Sequence, residues 1–143
     1  MERDRNGLEV LDPDECVRLL RTRSVGRIGI SSRALPTILP VDYVVADGRV
    51  LFRTAAGTKL DAATRGVVVA FEVDDVDEAA GTAWSVVITG VAATCGTEAA
   101  GGADVARLRR WVPGDDGHLV AISLEDVGGR RLNRPPDRRA HRS

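Results

Sequence analysis

The sequence predicts a mainly β fold of the α+β class, a small barrel with a few short helices. Six segments carry the alternating or β-branched apolar pattern of strands, and most of the connections between them are short. Only two or three segments have the caps and spacing of helices. Because helices do not regularly separate the strands, the pattern argues against a βαβ array. The six predicted strands are 25–31, 35–46, 49–54, 67–73, 82–94 and 117–125.

Length and composition fit one globular domain. The chain has 143 residues, 43% of them hydrophobic and 29% charged, which is typical of soluble proteins. No apolar run approaches the roughly 20 residues that span a bilayer, and the N-terminus lacks an apolar signal core. We therefore expect a cytoplasmic protein with no membrane partner. The net charge of −1 provides no field to attract nucleic acid.

The ends of the chain differ from its middle. Residues 1–10 are polar, and 133–143 are basic and contain two consecutive prolines. We expect a flexible N-terminus over 1–10, one barrel domain over 11–132 and a disordered basic tail over 133–143.

A helix is predicted directly before the first strand. Asp12 can cap it, Pro13 occupies its first position, and Glu15 stands three residues after the cap. The helix should run over 13–21 and lie across one opening of the barrel. Its predicted inward side chains are Cys16, Leu19 and Leu20.

The remaining segments complete the outline. The run 67–73 is continuously apolar, so we place it centrally with both faces buried. Asp47 and Gly48 form a hairpin turn between two apolar strands. We expect 74–78 to be a solvated acidic loop, 97–111 to be helical and 117–125 to be the last strand.

The sequence contains none of the common hydrolytic or metal-binding motifs. His118 and His141 form no HExxH motif, and there is no GxSxG. Cys16 and Cys95 lack the spacing of a disulfide framework or a zinc site. We expect no metal site, and no side chain stands out as a catalytic acid or base.

The loop after the third strand has the composition of an anion site. The strand ends at Thr54, Gly57 permits tight curvature, and a short helix opens at Thr58. Free N–H groups at a helix start favour an anion, and the two threonines add hydroxyl donors. Lys59 and Arg53 add positive charge. These donors would suit a phosphate monoester. The alternative is an ordinary capped helix, since the loop lacks the GK[ST] ending of a P-loop.

Several runs of residues occur together in a characteristic order. They are ECVRLL, SVGRIGI, PVDY, DG, FRTAAGTKL, WSV, TGVA and VGGRRL. In this order and spacing the chain resembles the pyridoxamine 5'-phosphate oxidase-like superfamily of flavin-binding split barrels, and it is most similar to the nitroimidazole-resistance-type group. The resemblance covers residues 11–132.

The resemblance implies a six-stranded antiparallel split barrel that forms a homodimer, with a flavin in each of two clefts at the subunit interface. By position, Val41, Asp42 and Tyr43 would line the flavin ring. Phe52, Arg53 and Thr54 would flank the ring and the ribityl chain, and Thr58 and Lys59 would hold the phosphate. Trp84 matches a position near the cleft, although a place in the core suits it equally.

The function that follows is that of an FMN-binding oxidoreductase acting on a small molecule. The flavin carries the redox chemistry and the protein orients it. One alternative is a reductase that uses a deazaflavin coenzyme, and another is a flavin carrier or sensor without turnover. Where the nitroimidazole-resistance group often has histidine, this chain has Arg53, so we expect little nitroimidazole reduction.

Overall fold

Eight strands and two short helices make up the described part of the chain. The computed structural model describes residues 2–96, Val105, Leu108 and residues 117–133. The elements in chain order are β1 (Glu9–Leu11), α1 (Pro13–Leu20), β2 (Val25–Ser32), β3 (Leu35–Ala46), β4 (Arg49–Thr54), α2 (Lys59–Ala63), β5 (Val67–Asp77), β6 (Thr82–Cys95), β7 (His118–Ser123) and β8 (Val127–Asn133).

Six of these strands close into an antiparallel barrel, as predicted. Hydrogen bonding runs in the order β6, β5, β2, β3, β4 and β7, and β7 pairs again with β6 to close the ring. Strand β6 is long enough to pair with β8 through its first half and with β7 through its last four residues. Strand β8 and its neighbour β1 therefore form a flap of sheet that leaves the barrel at β6.

Strand β5 shows how the barrel wall divides inside from outside. Val69, Phe71 and Val73 are buried, whereas Val68, directly before them, is 61% exposed. The central position predicted for 67–73 is confirmed, because β5 pairs with both β2 and β6. The prediction that both faces are buried is wrong, because a strand in this wall has the core on one side only.

The outward side of β3, β2, β5 and β6 forms a broad apolar surface, which we call the outer face. One row of paired residues crosses it in the order Ile38, Gly29, Ala70 and Thr89. The next row is Pro40, Arg27, Glu72 and Val87. Ile38, Val68, Val87 and Val91 are its large exposed apolar side chains. A shallow depression of about 340 Å³ lies between Gly29 and Ala70.

The first helix has the predicted cap and buried face. Asp12 Oδ1 accepts a hydrogen bond from the Glu15 N–H at 2.9 Å, and Pro13 opens the helix. Its buried residues are Cys16, Leu19 and Leu20. The helix packs against β8 and β6.

The acidic stretch predicted as a loop belongs mostly to a strand. Asp74 pairs with Ser85 and Asp77 with Thr82 in the β5–β6 ladder. Repeated carboxylates favour a solvated loop in the sequence. They are accommodated in a strand because Asp74 and Asp75 form ion pairs with Arg27 and Arg23 of the neighbouring segment.

The segment 117–125 is not the last strand, because β8 follows it. Strand β8 contains two glycines and two arginines and has no apolar alternation, so local sequence does not mark it. Pairing with β6 on one side and β1 on the other holds it in place. Strand β1 itself lies at the end of the segment predicted to be loose, since Glu9 pairs with Arg131.

Two predictions concern parts of the chain outside the described residues. These are the helix over 97–111, of which only Val105 and Leu108 are described, and the tail beyond Asn133, which includes His141. Among the described residues, no helix is long and apolar enough to cross a membrane.

Candidate functional site

A cavity lies outside the barrel wall, between β3 and the segment that follows α1. Its volume is about 630 Å³, within the usual range for sites that hold a small molecule or cofactor. It is lined by Leu20, Arg21, Thr22, Arg23, Ser24, Val25, Asp42, Tyr43, Val44, Val45 and Leu108. Two arginines and one carboxylate therefore line this cavity.

Strand alternation divides the predicted flavin-binding residues into two groups. Val41 and Tyr43 of β3 point into the core, as do Phe52 and Thr54 of β4. Tyr43 pairs with Phe52 across the two strands. Asp42 directly precedes Tyr43, and Arg53 directly follows Phe52. Because side chains alternate between the two faces of a strand, Asp42 and Arg53 both lie on the outward face, which carries the cavity.

Tyr43 has a structural role inside the barrel. Its hydroxyl donates to the Leu20 carbonyl at 2.5 Å, and its ring meets Phe71 edge to face at a centroid distance of 5.1 Å. Burial raises the pKa of Tyr43 to about 12. The phenol therefore fastens the end of α1 to the barrel and is held neutral.

Arg53 carries a buried donor without an acceptor. Its Nε is buried and makes no hydrogen bond within the described part of the chain. A buried polar group left unpaired costs about 1–3 kcal/mol. An acceptor atom of a bound molecule would remove that cost, so this guanidinium fits a site that is completed by a ligand.

The buried carboxylate of Asp61 organises the loop that precedes α2. Its side chain is only 2% exposed. Oδ1 accepts hydrogen bonds from Thr54 Oγ1 at 2.9 Å and from His118 Nδ1 at 2.6 Å. Oδ2 accepts from the Gly57 N–H at 3.1 Å and from an Arg65 Nη at 2.9 Å. The end of β4, the loop, α2 and the start of β7 all meet at this one group.

These contacts determine the charge of Asp61. Burial alone would raise the pKa of this carboxyl, but the hydrogen bonds from Thr54, Gly57, His118 and Arg65 outweigh it and lower the pKa to about 2. Asp61 is therefore an anion at neutral pH.

Acceptors within the protein, Asp61 among them, already engage some of the donors that the sequence assigned to a phosphate. The Thr54 hydroxyl donates to Asp61 and is buried. The Thr58 hydroxyl donates to the Ala55 carbonyl at 2.7 Å and caps α2 by accepting from the Asp61 N–H at 3.1 Å. Lys59 is exposed and has no ion pair within the described residues. Lys59 and Arg53 are thus the predicted donors that remain available.

Trp84 lies beside the cavity rather than in its wall. The ring is half-buried against the core, and the Arg23 guanidinium lies 5.8 Å from its centroid. Arg23 also forms an ion pair with Asp75. Since Arg23 lines the cavity, Trp84 and Asp75 influence the cavity indirectly, because they fix the position of the Arg23 side chain.

Four residues at this end of the barrel were not predicted as site residues: Arg21, Arg23, Asp61 and His118. Local sequence marks Asp61 only as a residue of the short helix that opens at Thr58. It does not pair His118 with Asp61, because the two residues are 57 positions apart. Three or more metal-ligating side chains do not cluster anywhere in the described ranges.

The chain belongs to the pyridoxamine 5'-phosphate oxidase family. The model of that family, described as "Pyridoxamine 5'-phosphate oxidase", matches residues 12–131. The match spans the whole described barrel and both helices, and it agrees with the resemblance found in the sequence.

Relatives support the same membership. Uncharacterized protein Rv0080 of Mycobacterium tuberculosis is 44% identical over 131 residues, which cover 85% of this chain and 84% of the relative. The solved structure of an FAD binding protein from Mycobacterium smegmatis is 36% identical with a TM-score of 0.72, covering 87% of this chain and 98% of that one.

The fold is also shared with the nitroimidazole-resistance group. A proposed 5-nitroimidazole antibiotic resistance protein from Bacteroides thetaiotaomicron superposes with a TM-score of 0.60 over 87% of this chain and 89% of that one. Sequence identity is 9%, so this similarity concerns the fold alone.

Proposed function

We propose that this chain is a flavin-dependent oxidoreductase that binds FMN on the outward face of β3 and β4. The observation that carries the proposal is the buried, unpartnered Nε of Arg53, on the same face as Asp42 and its 630 Å³ cavity. The edge of a flavin ring carries both carbonyl oxygens and an N–H group. Arg53 can donate to the former and Asp42 can accept from the latter.

The protein's part in the reaction is binding and orientation. A bound flavin supplies hydride or electron transfer. Arg53 and Asp42 would fix the ring plane, Arg21 and Arg23 would provide positive charge at the cavity, and Lys59 would meet the phosphate. Arg21 is already held by a 3.2 Å hydrogen bond from its Nη1 to the Val45 carbonyl, so its charge is presented without much loss of side-chain freedom.

Two observations bear on which flavin is bound, and they favour different ligands. The single free lysine of the loop suits the terminal phosphate of FMN. The relative from Mycobacterium smegmatis, at 36% identity, is described as binding FAD, which makes FAD the competing ligand. Both carry a phosphate on the ribityl chain, so both would use Lys59.

A titration tests flavin binding and its specificity. The purified protein is titrated with FMN, FAD, riboflavin and the deazaflavin coenzyme, and flavin fluorescence or calorimetry gives each Kd. We expect micromolar or tighter binding of FMN and clearly weaker binding of riboflavin, which lacks the phosphate. Arg53→Leu should weaken all flavins, because it removes a ring contact. Equal affinity for FMN and riboflavin would contradict the phosphate contact, and preference for FAD or deazaflavin would replace FMN.

Turnover separates an oxidoreductase from a carrier. The flavin-loaded protein is reduced with NADH, with NADPH or photochemically, and reoxidation is followed by absorbance with a panel of quinones and other electrophiles. Reoxidation faster than in buffer with at least one compound supports an enzyme. Reoxidation no faster than that of free flavin with every compound would indicate a carrier or sensor.

We also propose that the protein is a symmetric homodimer built on the outer face. The rows of paired residues there are flat at Gly29 and Ala70 and flanked by exposed Ile38, Val68 and Val87. Arg27 and Glu72 stand in one row of this face and pair with each other at 3.5 Å, so a second copy would cover apolar side chains together with a charge pair that is already neutralised. The same patch on both copies can then form a two-fold interface.

Light scattering tests the dimer. Wild type should have twice the 15.3 kDa chain mass at micromolar concentration. Val68→Asp, in the outer face, should give a monomer, whereas Ala79→Asp, in the exposed β5–β6 turn, should not. A wild-type monomer with bound flavin would contradict the proposal.

A further inference from the structure

His118 has one ring nitrogen engaged and the other free to bind. Its Nδ1 lies 2.6 Å from Asp61 Oδ1, a short, charge-assisted distance. The histidine side chain is 40% exposed, while the carboxylate behind it is 2% exposed. Within the described ranges, Nε2 makes no hydrogen bond. The buried acid therefore fixes the ring and leaves its second nitrogen towards the surface.

His118 lies where the loop of Lys59 begins. It is the register partner of Thr54, the last residue of β4. The carboxylate that holds the imidazole through Oδ1 also holds the Gly57 N–H through Oδ2. One anchoring group thus positions both the ring and the loop, and Lys59 follows Gly57 by two residues.

This end of the barrel carries surplus positive charge. Between residues 52 and 65 the cations are Arg53, Lys59 and Arg65, and the only carboxylate is Asp61. Asp61 is buried, and Arg65 is its partner in a 2.9 Å ion pair. Arg53 and Lys59 remain without a described anionic partner, so the surface favours an anion.

We propose that His118 is a phosphate-binding residue of this site, donating from Nε2 to the phosphate on the ribityl chain of the flavin while Asp61 holds Nδ1. The inference rests on the proposed flavin function. It assigns the phosphate contact to His118 in place of the Thr54 and Thr58 hydroxyls. The ring can donate to both anions only when both of its nitrogens carry protons. The charge then alternates from Asp61 to His118 to phosphate, an arrangement in which each neighbour stabilises the next.

The experiment compares ligands with and without the phosphate. Kd values for FMN, FAD and riboflavin are measured for wild type, His118→Ala and His118→Gln, with thermal melting of each variant as a control for folding. His118→Ala should weaken FMN about tenfold or more, as expected for a hydrogen bond to a charged group, and leave riboflavin unchanged. His118→Gln, which can still donate, should recover part of the loss.

Arg65→Gln is the matched control. Arg65 contacts the other oxygen of the same carboxylate and is 55% exposed, so its loss removes a positive charge from the same place without removing the proposed donor. It should weaken FMN much less than His118→Ala. Comparing FMN with FAD tells whether the phosphate contact is used in a mononucleotide or a dinucleotide.

Three results would overturn the inference, and each has a different meaning. If wild type prefers FMN or FAD over riboflavin but His118→Ala and His118→Gln keep that preference, His118 is not a phosphate ligand and the flavin proposal stands. If wild type binds none of the three compounds, the flavin function is wrong and the role of His118 falls with it. Equal losses for riboflavin and FMN would also overturn it, since they indicate a structural role.

Discussion

The side chains of Asp61 and His118 meet at 2.6 Å although 57 residues separate them in the chain. The contact joins the short helix after β4 to the first residue of β7, a strand of the barrel wall. Because the carboxylate also accepts from Thr54, Gly57 and Arg65, it determines the shape of the loop that carries Lys59. The candidate site is therefore built around an internal anion.

Asp61→Asn should destabilise the fold. An amide supplies one acceptor oxygen, and its NH2 group would face donors that have lost their partner. Removing a buried charge from such a network costs about 3 kcal/mol. Chemical denaturation measures the loss. Asp12→Asn is the control, because asparagine caps a helix as well as aspartate does, and it should change stability by less than about 0.5 kcal/mol.

The same residue predicts how stability depends on acid. Its pKa is lowered in the folded state to about 2, so the folded form binds its proton less readily than the unfolded chain. Its contribution is complete above about pH 4 and is lost as the pH falls towards about 2. Denaturation curves between these values should show a weaker pH dependence in Asp61→Asn than in wild type. Identical slopes would contradict the assignment.

Tyr43→Phe should weaken the fold and leave flavin affinity unchanged, because the hydroxyl faces Leu20 inside the barrel. The loss of this buried hydrogen bond is expected to cost about 1–2 kcal/mol. Tyr43 is the only tyrosine, so the phenolate absorbance of the native protein reports its ionisation alone. With its pKa raised to about 12, stability should fall as the pH rises above about 10, where the unfolded chain ionises.

A clear effect of Tyr43→Phe on flavin affinity would place the hydroxyl at the ligand and would contradict its burial.

Lys59→Ala should reduce FMN affinity by roughly ten- to a hundredfold, the value of one charge-assisted contact. Riboflavin binding and the melting temperature should not change, because Lys59 is exposed and forms no hydrogen bond or ion pair within the described part of the chain. Lys59→Arg should retain part of the affinity. Arg33→Gln, in the exposed β2–β3 turn, removes the same charge from another place and should have little effect on FMN.

Gly117→Ala should disturb the start of β7. Gly117 has a φ of +46°, and a Cβ there would lie 1.8 Å from the Thr54 carbonyl oxygen. Only a shift of backbone could relieve that overlap, so we expect a loss of stability of more than about 1 kcal/mol. Gly128→Ala is the control, because nothing lies within 4 Å of its added Cβ. Equal melting temperatures for the two variants would contradict the close approach.

Much of the barrel could be predicted because its strands are marked locally. The turn at Asp47 and Gly48 has positive φ at both residues, as the hairpin signal requires. Strand β8 could not be predicted, because its glycines and arginines do not form a strand pattern and only its pairing with neighbouring strands makes it a strand. Arg130 pairs with Asp4 and Arg131 with Glu9, contacts that span most of the chain.

The candidate site was predicted only in part for the same reason. The sequence indicated Lys59 in the loop and Arg53 on the strand as cations, and neither has an anionic partner among the described residues. It could not show that the Thr54 hydroxyl is engaged, because its acceptor Asp61 is a buried carboxylate only in the folded chain. Residue type shows which groups can donate, whereas tertiary contacts decide which of them are free.

Strand β1 covers three residues of the outer edge of β8, from Gly129 to Arg131. It is the only chain segment that pairs with that edge in the described structure. A protein lacking its first eleven residues would expose unpaired N–H and C=O groups along β8, and such an edge is a template for strands of other molecules. The short N-terminal strand therefore protects this edge against aggregation, and the ion pairs of Asp4 with Arg130 and of Glu9 with Arg131 hold the N-terminal segment in place.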